Sequence, residues 1–133
     1  MKIVINSCYG GYQLSDKAFE EYLNRKEVKF HKWDDGYFTV FSTVTKEEYE
    51  AAGSKGFHNM TDQEKKEYNA LYLSYREVPR NDPILVDVVE KLGEEASGKY
   101  SKLKIVDIPD DVKWTIEEYD GNEWVAEIHR IWN

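Results

Sequence analysis

The sequence has little cysteine and histidine. Among its 133 residues there is one cysteine, Cys8, and there are three histidines. One cysteine forms no intramolecular disulfide and no cysteine-based zinc site. We therefore expect a chain of the reducing cytoplasm that holds no metal and no cofactor.

Long apolar runs and an excess of basic residues are also missing. No stretch reaches the roughly 18 apolar residues of a membrane-spanning helix, and the apolar start after Met1 is too short for a secretion signal. The net charge is −8, which repels a phosphate backbone. We expect neither a membrane nor a nucleic-acid polymer as partner. A small nucleotide is not excluded, because close arginine contacts outweigh a screened global field.

What the chain does contain is enough apolar and aromatic material for one core. Hydrophobic residues make up 41% of the sequence, and its aromatic residues include ten Tyr and four Trp. Such a composition is typical of a folded chain, and 133 residues is a common size for one domain. Tyr and Trp combine an apolar body with a polar group, so their surplus suits interfaces and pocket walls as well as a core.

Hydrophobic periodicity and N-cap signals predict an α/β domain. We predict strands over residues 2–6, 28–33, 37–44, 103–108, 113–119 and 123–132. We predict helices that begin near residues 16, 46, 62 and 83. The clearest helix start is Asp82 followed by Pro83, and the clearest hairpin turn is Asp120-Gly121.

These elements predict the fold class. The strand at 2–6 is nearly all apolar and the strand at 103–108 also has the pattern of a buried one, so we place them at the centre of a mixed sheet and parallel to each other. Helices pack on this sheet, and a β-hairpin closes the C-terminus. Residues 1–133 are predicted to form a single domain, with residues 28–75 as an inserted hairpin and helices.

Several segments resemble a family of small bacteriophage-encoded proteins that are without an assigned function. The segments are NSCYGG at 6–11, PRNDP at 79–83, IPDDV at 108–112, EYDG at 118–121 and EIHRIW at 127–132. The likeness covers both ends of the chain and leaves residues 28–75 unmatched. It implies an accessory protein of a phage that works in the host bacterial cytoplasm, where such proteins counter host defence.

The loop after the first strand is the leading candidate for a binding site. It consists of Asn6, Ser7, Cys8, Tyr9, Gly10 and Gly11. Open α/β sheets bind ligands at such loops, because backbone N–H groups and a helix N-terminus attract anions there. The alternative is that the two glycines only make the bend, since their spacing matches no phosphate-binding fingerprint.

Further candidates lie outside the loop. Arg76, Arg80 and Arg130 could hold a phosphate or carboxylate, and His129 and Trp132 flank the last of them on a strand. The alternative for Arg80 is an ion pair with Asp82 or Asp87. The acidic residues Asp107, Asp110 and Asp111 suit a solvated surface better than a cation site.

Three functions follow from these residues. The first is sequestration, without turnover, of a small anionic nucleotide-like ligand, for example a host immune signal. The second is an acidic interaction protein that inhibits a host enzyme by binding its surface. The third is a nucleoside-processing enzyme that resembles deoxyribosyltransferases and uses Asp82, Glu117 or Cys8, although Cys8 also fits an inert buried thiol. A homo-oligomer is left open.

Overall fold

The computed structural model describes residues 1–129, which contain four α-helices and six strands. The strands are β1 (Lys2–Asn6), β2 (His31–Asp34), β3 (Thr39–Ser42), β4 (Leu103–Asp107), β5 (Trp114–Tyr119) and β6 (Asn122–Glu127). The helices are α1 (Asp16–Arg25), α2 (Lys46–Ala52), α3 (Asp62–Leu71) and α4 (Pro83–Leu92). Short 3-10 helices cover Phe57–Asn59, Tyr75–Glu77 and Gly93–Ala96. The order of elements and the mixed α/β class agree with the sequence pattern.

The chain folds into two compact units. The first is made of residues 1–26 and 76–133, and the second of residues 27–75. The sequence analysis also predicts that residues 28–75 are an insertion. This concerns the ancestry of the chain, and it stays a prediction.

The core of the first unit lies between β1 and the two helices α1 and α4. Ile3, Val4, Leu85 and Val88 are fully buried there, and each such side chain stabilises the fold by about 1.5–3 kcal/mol. Helix α4 begins as predicted, because the Asp82 carboxylate accepts hydrogen bonds from the N–H groups of Ile84 and Leu85 and Pro83 follows it.

The prediction of parallel central strands is wrong. Strands β1 and β4 pair antiparallel, with Val4 opposite Ile105. Two helices of the first unit, α1 and α4, lie between these strands in the sequence and run against each other, since Tyr22 near the end of α1 bonds Asp82 at the start of α4. The chain leaves the end of β1 along α1 and comes back along α4, so that Ser97 after α4 bridges to Leu14 before α1. Strand β4 therefore starts beside the end of β1, with Leu103 opposite Asn6, and runs back along it.

The hairpin of β5 and β6 closes the first unit. Its two turn residues both have positive φ, 50° at Asp120 and 87° at Gly121. These are the dihedrals of a type I′ turn, whose twist suits a two-residue hairpin. The Asp-Gly turn predicted from sequence is confirmed, and Tyr119 pairs with Asn122 beside it.

The second unit packs a small hairpin against α2 and α3. Strands β2 and β3 pair antiparallel, and Val40 and Phe41 of β3 are buried. Aromatic rings form its centre: Trp33 meets Tyr49 edge-on at 5.7 Å between centroids, and Tyr49 lies 5.2 Å from Tyr68. The predicted hairpin and both predicted helix starts are present.

No helix among residues 1–129 combines the length and the apolar character needed to cross a membrane.

The contact between α1 and α4 makes stability depend on alkaline pH. Burial, and then the hydrogen bond that Tyr22 donates to Asp82 at 2.9 Å, raise the pKa of Tyr22 to about 12. A phenol in the unfolded chain titrates near pH 10. The stability that neutral Tyr22 contributes is therefore complete below pH 10 and is lost as the pH rises through 12.

We expect Tyr22→Phe to remove this part of the alkaline destabilisation. Urea unfolding of the wild type and of the variant between pH 8 and pH 12 measures this effect. The difference between their free energies of unfolding should narrow or reverse above pH 10. All other tyrosines and lysines titrate in both proteins and cancel. A constant gap over this range would contradict the role given to Tyr22.

Candidate binding site at the glycine loop

The loop of residues 6–11 is enclosed by two other segments of the first unit. It leaves the buried end of β1 and reaches α1 through Leu14, which bridges to Ser97. The stretch before β4 lies on one side, where the N–H and the hydroxyl of Ser7 both bond the carbonyl of Lys102. The Asp120-Gly121 turn lies on the other side.

Asn6 fastens these segments together. Its side chain is fully buried, and its amide nitrogen donates to the carbonyls of Cys8 (2.8 Å) and Gly121 (2.7 Å). Its amide oxygen accepts the N–H of Lys102 at 2.8 Å. Both donors and the acceptor of Asn6 are therefore used inside the protein, so this predicted site residue holds the loop in shape.

The two glycines of the loop are needed for different structural reasons. A Cβ atom on Gly10 would lie 1.6 Å from the carbonyl oxygen of Tyr100, so backbone approaches it closely. Gly11 has no such neighbour within 4 Å, but its φ of +91° is one that side chains resist. A Cβ atom on Gly121 would in turn lie 2.5 Å from the nitrogen of Gly11. The backbone that comes close to Gly10 is therefore that of Tyr100 in the same protein.

Arg80 meets the loop through a carboxylate that sequence analysis missed. Its guanidinium forms a two-pronged pair with Glu123, at 2.8 and 2.9 Å, and donates to the carbonyl of Val4 at 3.1 Å. It also stacks 3.3 Å from the centre of the Tyr12 ring. The other oxygen contact of Glu123 is the N–H of Asn6 at 2.8 Å. One carboxylate therefore joins Arg80 to the loop and balances its charge.

The acids considered as partners of Arg80 are engaged elsewhere. Burial raises the pKa of Asp82, but bonds from Lys26, Tyr22 and the start of α4 outweigh it and leave that pKa lowered. Asp87 contacts Arg25 and Lys91, which lower its pKa. A sequence signal for Glu123 did exist, because strand alternation puts it on the same face as the half-buried Val125, where a charge needs a partner.

The sulfur of Cys8 lies within hydrogen-bond distance of two acceptors, the amide oxygen of Asn6 at 3.4 Å and the carbonyl oxygen of Tyr100 at 3.2 Å. Its one S–H can donate to either of them. Within residues 1–129 no group of three His, Cys, Asp or Glu side chains is arranged to hold a metal ion.

Three tyrosines on the segments that meet at the loop are largely exposed. They are Tyr9 (67% exposed), Tyr100 (63%) and Tyr119 (73%), and we call them the tyrosine surface. The backbones of all three lie at the loop contacts just described. The carbonyl of Tyr9 faces Gly121 of the turn, and the carbonyl of Tyr100 faces Gly10. Tyr119 directly precedes that turn.

Two of the remaining predicted site residues are exposed, and two lie outside the described residues. Arg76 is exposed in the short helix Tyr75–Glu77, and His129 is exposed after β6. Arg130 and Trp132 lie beyond the described residues. A cavity of about 450 Å³, lined by residues such as Lys2, Pro83 and Val86, has none of the predicted site residues in its described wall.

Comparison of the chain with models of known families, with curated proteins and with solved structures finds no match in any of the three. The likeness to small bacteriophage proteins therefore stays a prediction, and function must be argued from the site.

Proposed function

We propose that this protein is a non-catalytic binding protein whose tyrosine surface docks on a basic area of a partner protein. The observation that carries the proposal is the exposure of Tyr9, Tyr100 and Tyr119 around one anchored loop. Protein interfaces are enriched in tyrosine, whose large ring loses little side-chain entropy on binding.

Charge indicates the chemistry of the partner. The hairpin that carries Tyr119 also carries exposed Glu117, Glu118 and Asp120, and the whole chain has a net charge of −8. Opposite potentials speed the encounter of two proteins and select against acidic partners. A basic partner surface therefore fits the tyrosine surface better than an acidic one.

The engagement of Arg80 favours a protein partner over a small anion. Its guanidinium already binds a carboxylate in the two-pronged geometry that a phosphate would use. An anion would have to displace Glu123, which would then be left nearly buried and unpaired. In the phage context implied by the sequence, the partner is a host protein and the effect is inhibition.

A variant with Tyr100→Ser and Tyr119→Ser tests this function. It should bind at least tenfold more weakly than the wild-type protein, because central aromatic residues commonly contribute 2 kcal/mol or more to an interface. The measurement is affinity capture from bacterial lysate, identification of the protein that wild type enriches, and titration with that protein after purification. The wild-type affinity should fall as salt is raised.

The matched control is Tyr37→Ser, which removes a tyrosine that is also exposed but lies in the second unit. It should leave the affinity unchanged. Equal binding by wild type and the double variant, with both proteins folded, would overturn the proposal.

Binding of a small nucleotide-like anion is the second candidate function. It is favoured by two observations: within residues 1–129 the N–H groups of Cys8, Tyr9 and Gly10 meet no acceptor, and the Lys99 ammonium lies 5.3 Å over the Tyr100 ring. Thermal-shift measurements with mono- and dinucleotides separate the candidates, since a ligand at 100 times its Kd adds about 2.7 kcal/mol of stability. A shift that Tyr100→Ser abolishes would make this the function.

A further inference from the structure

Among residues 1–129, strand β4 pairs along one of its two edges, with β1. On β1, the N–H of Val4 bonds the carbonyl of Arg80, and the carbonyl of Val4 accepts from the Arg80 side chain, so both groups of Val4 point away from β4. Val4 stands opposite Ile105. In an antiparallel ladder, opposite residues face inward together or outward together. The N–H and C=O of Ile105 therefore point away from β1.

The same alternation defines the whole outer edge of β4. Leu103 and Asp107 are two residues from Ile105 on either side, so their backbone groups also face outward. The N–H of Leu103 is held by the Ser97 hydroxyl at 3.0 Å. For the carbonyl of Leu103, both groups of Ile105 and the N–H of Asp107, residues 1–129 supply no partner. A short open strand edge of this kind accepts another strand.

We infer that a second copy of this chain pairs with the outer edge of β4, antiparallel and about a two-fold axis at Ile105. The two Ile105 residues then exchange both of their hydrogen bonds. Each Asp107 N–H reaches the Leu103 carbonyl of the other copy. This register gives about four backbone hydrogen bonds. It needs no N–H from Leu103, which Ser97 already holds.

The charge pattern along the strand selects a second copy in this orientation. The segment 101–111 has its basic residues, Lys102 and Lys104, at one end. Its acidic residues, Asp107, Asp110 and Asp111, lie at the other end. Antiparallel self-pairing sets the basic end of each copy beside the acidic end of the other, whereas parallel pairing would oppose like charges. The edge is therefore complementary to itself.

Cross-linking at single cysteines tests the register. In a Cys8→Ser background, Ile105→Cys should give a covalent dimer on mild oxidation, because a hydrogen-bonded pair of opposite residues has Cα atoms about 5.5 Å apart, within the range of a disulfide. Asp107→Cys is the matched control. Its two cysteines would stand about 13 Å apart, four residues along the ladder, and should form no covalent dimer.

Sedimentation of the unmodified protein over a dilution series tests the association itself. The mass should approach twice the 15.7 kDa of one chain at the highest concentrations. Ile105→Pro should stay monomeric throughout, since it removes an outward N–H and spares the bonds to β1. A wild-type chain that stays monomeric, or equal cross-linking at positions 105 and 107, would overturn the inference. No partner protein is present, so the result is independent of the proposed binding function.

Discussion

Arg80→Ala is expected to lower the free energy of unfolding by about 3 kcal/mol. The substitution leaves the Glu123 carboxylate, whose side chain is 10% exposed, without its two-pronged partner, and breaking a buried pair from one side costs about 3–5 kcal/mol. The carbonyl of Val4 also loses a donor. Urea unfolding of the purified variant measures the loss.

Two further variants show whether the pair is the cause. Lys17→Ala breaks an ion pair with Glu95 in which both side chains are mostly exposed, and it should change stability by less than about 0.5 kcal/mol. Arg80→Met combined with Glu123→Gln removes both charges and should recover part of the loss. If Arg80→Ala leaves the free energy of unfolding unchanged, Arg80 is available to a ligand. That result would support binding of a small anion as the function.

Gly10→Ala is expected to cost about 3 kcal/mol, a large effect for one methyl group. The new Cβ would lie 1.6 Å from the Tyr100 carbonyl oxygen, which belongs to backbone and cannot rotate away. Overpacking costs typically about 1–3 kcal/mol and more where backbone must shift. Thermal and urea unfolding report it, and the variant should also weaken partner binding because the loop beneath the tyrosine surface is displaced.

Gly11→Ala supplies the comparison one residue further on. No atom lies within 4 Å of its added Cβ, so only the positive φ of +91° resists the change. The cost of that dihedral is about 1 kcal/mol. Equal losses at both positions would show that conformational freedom, and not the contact with Tyr100, explains Gly10.

Local signals predicted most elements of the fold. The bounds of β1 and α1, the start of α4 at Asp82-Pro83 and the Asp-Gly turn all depend on residues within a few positions, and all are confirmed. Strand direction depends on how many times the intervening chain reverses. Apolar composition does not report that number, so the Ile- and Val-containing segments of β1 and β4 resembled parallel strands in the sequence.

The site was predictable only where one residue carried the signal. The glycine loop was located correctly after β1, but the partners of its residues come from more than 90 positions away, as with Asn6 and Lys102. The pairing of Arg80 with Glu123 spans 43 positions and needs the hairpin to be placed first. Exposure of Tyr9, Tyr100 and Tyr119 is likewise a property of the folded surface.

The hydrogen bonds of Asn6 also couple the local opening of three parts of the first unit. Local opening of the loop would leave a buried amide without partners and release the N–H of Lys102 at the same time, so the loop, the entry to β4 and the Asp120-Gly121 turn open together or stay closed together. Amide exchange at the N–H of Lys102, which the Asn6 side chain accepts, then reports this shared opening. The first residue of a segment that resembles a flexible glycine loop in the sequence is in this way tied to two distant parts of the unit.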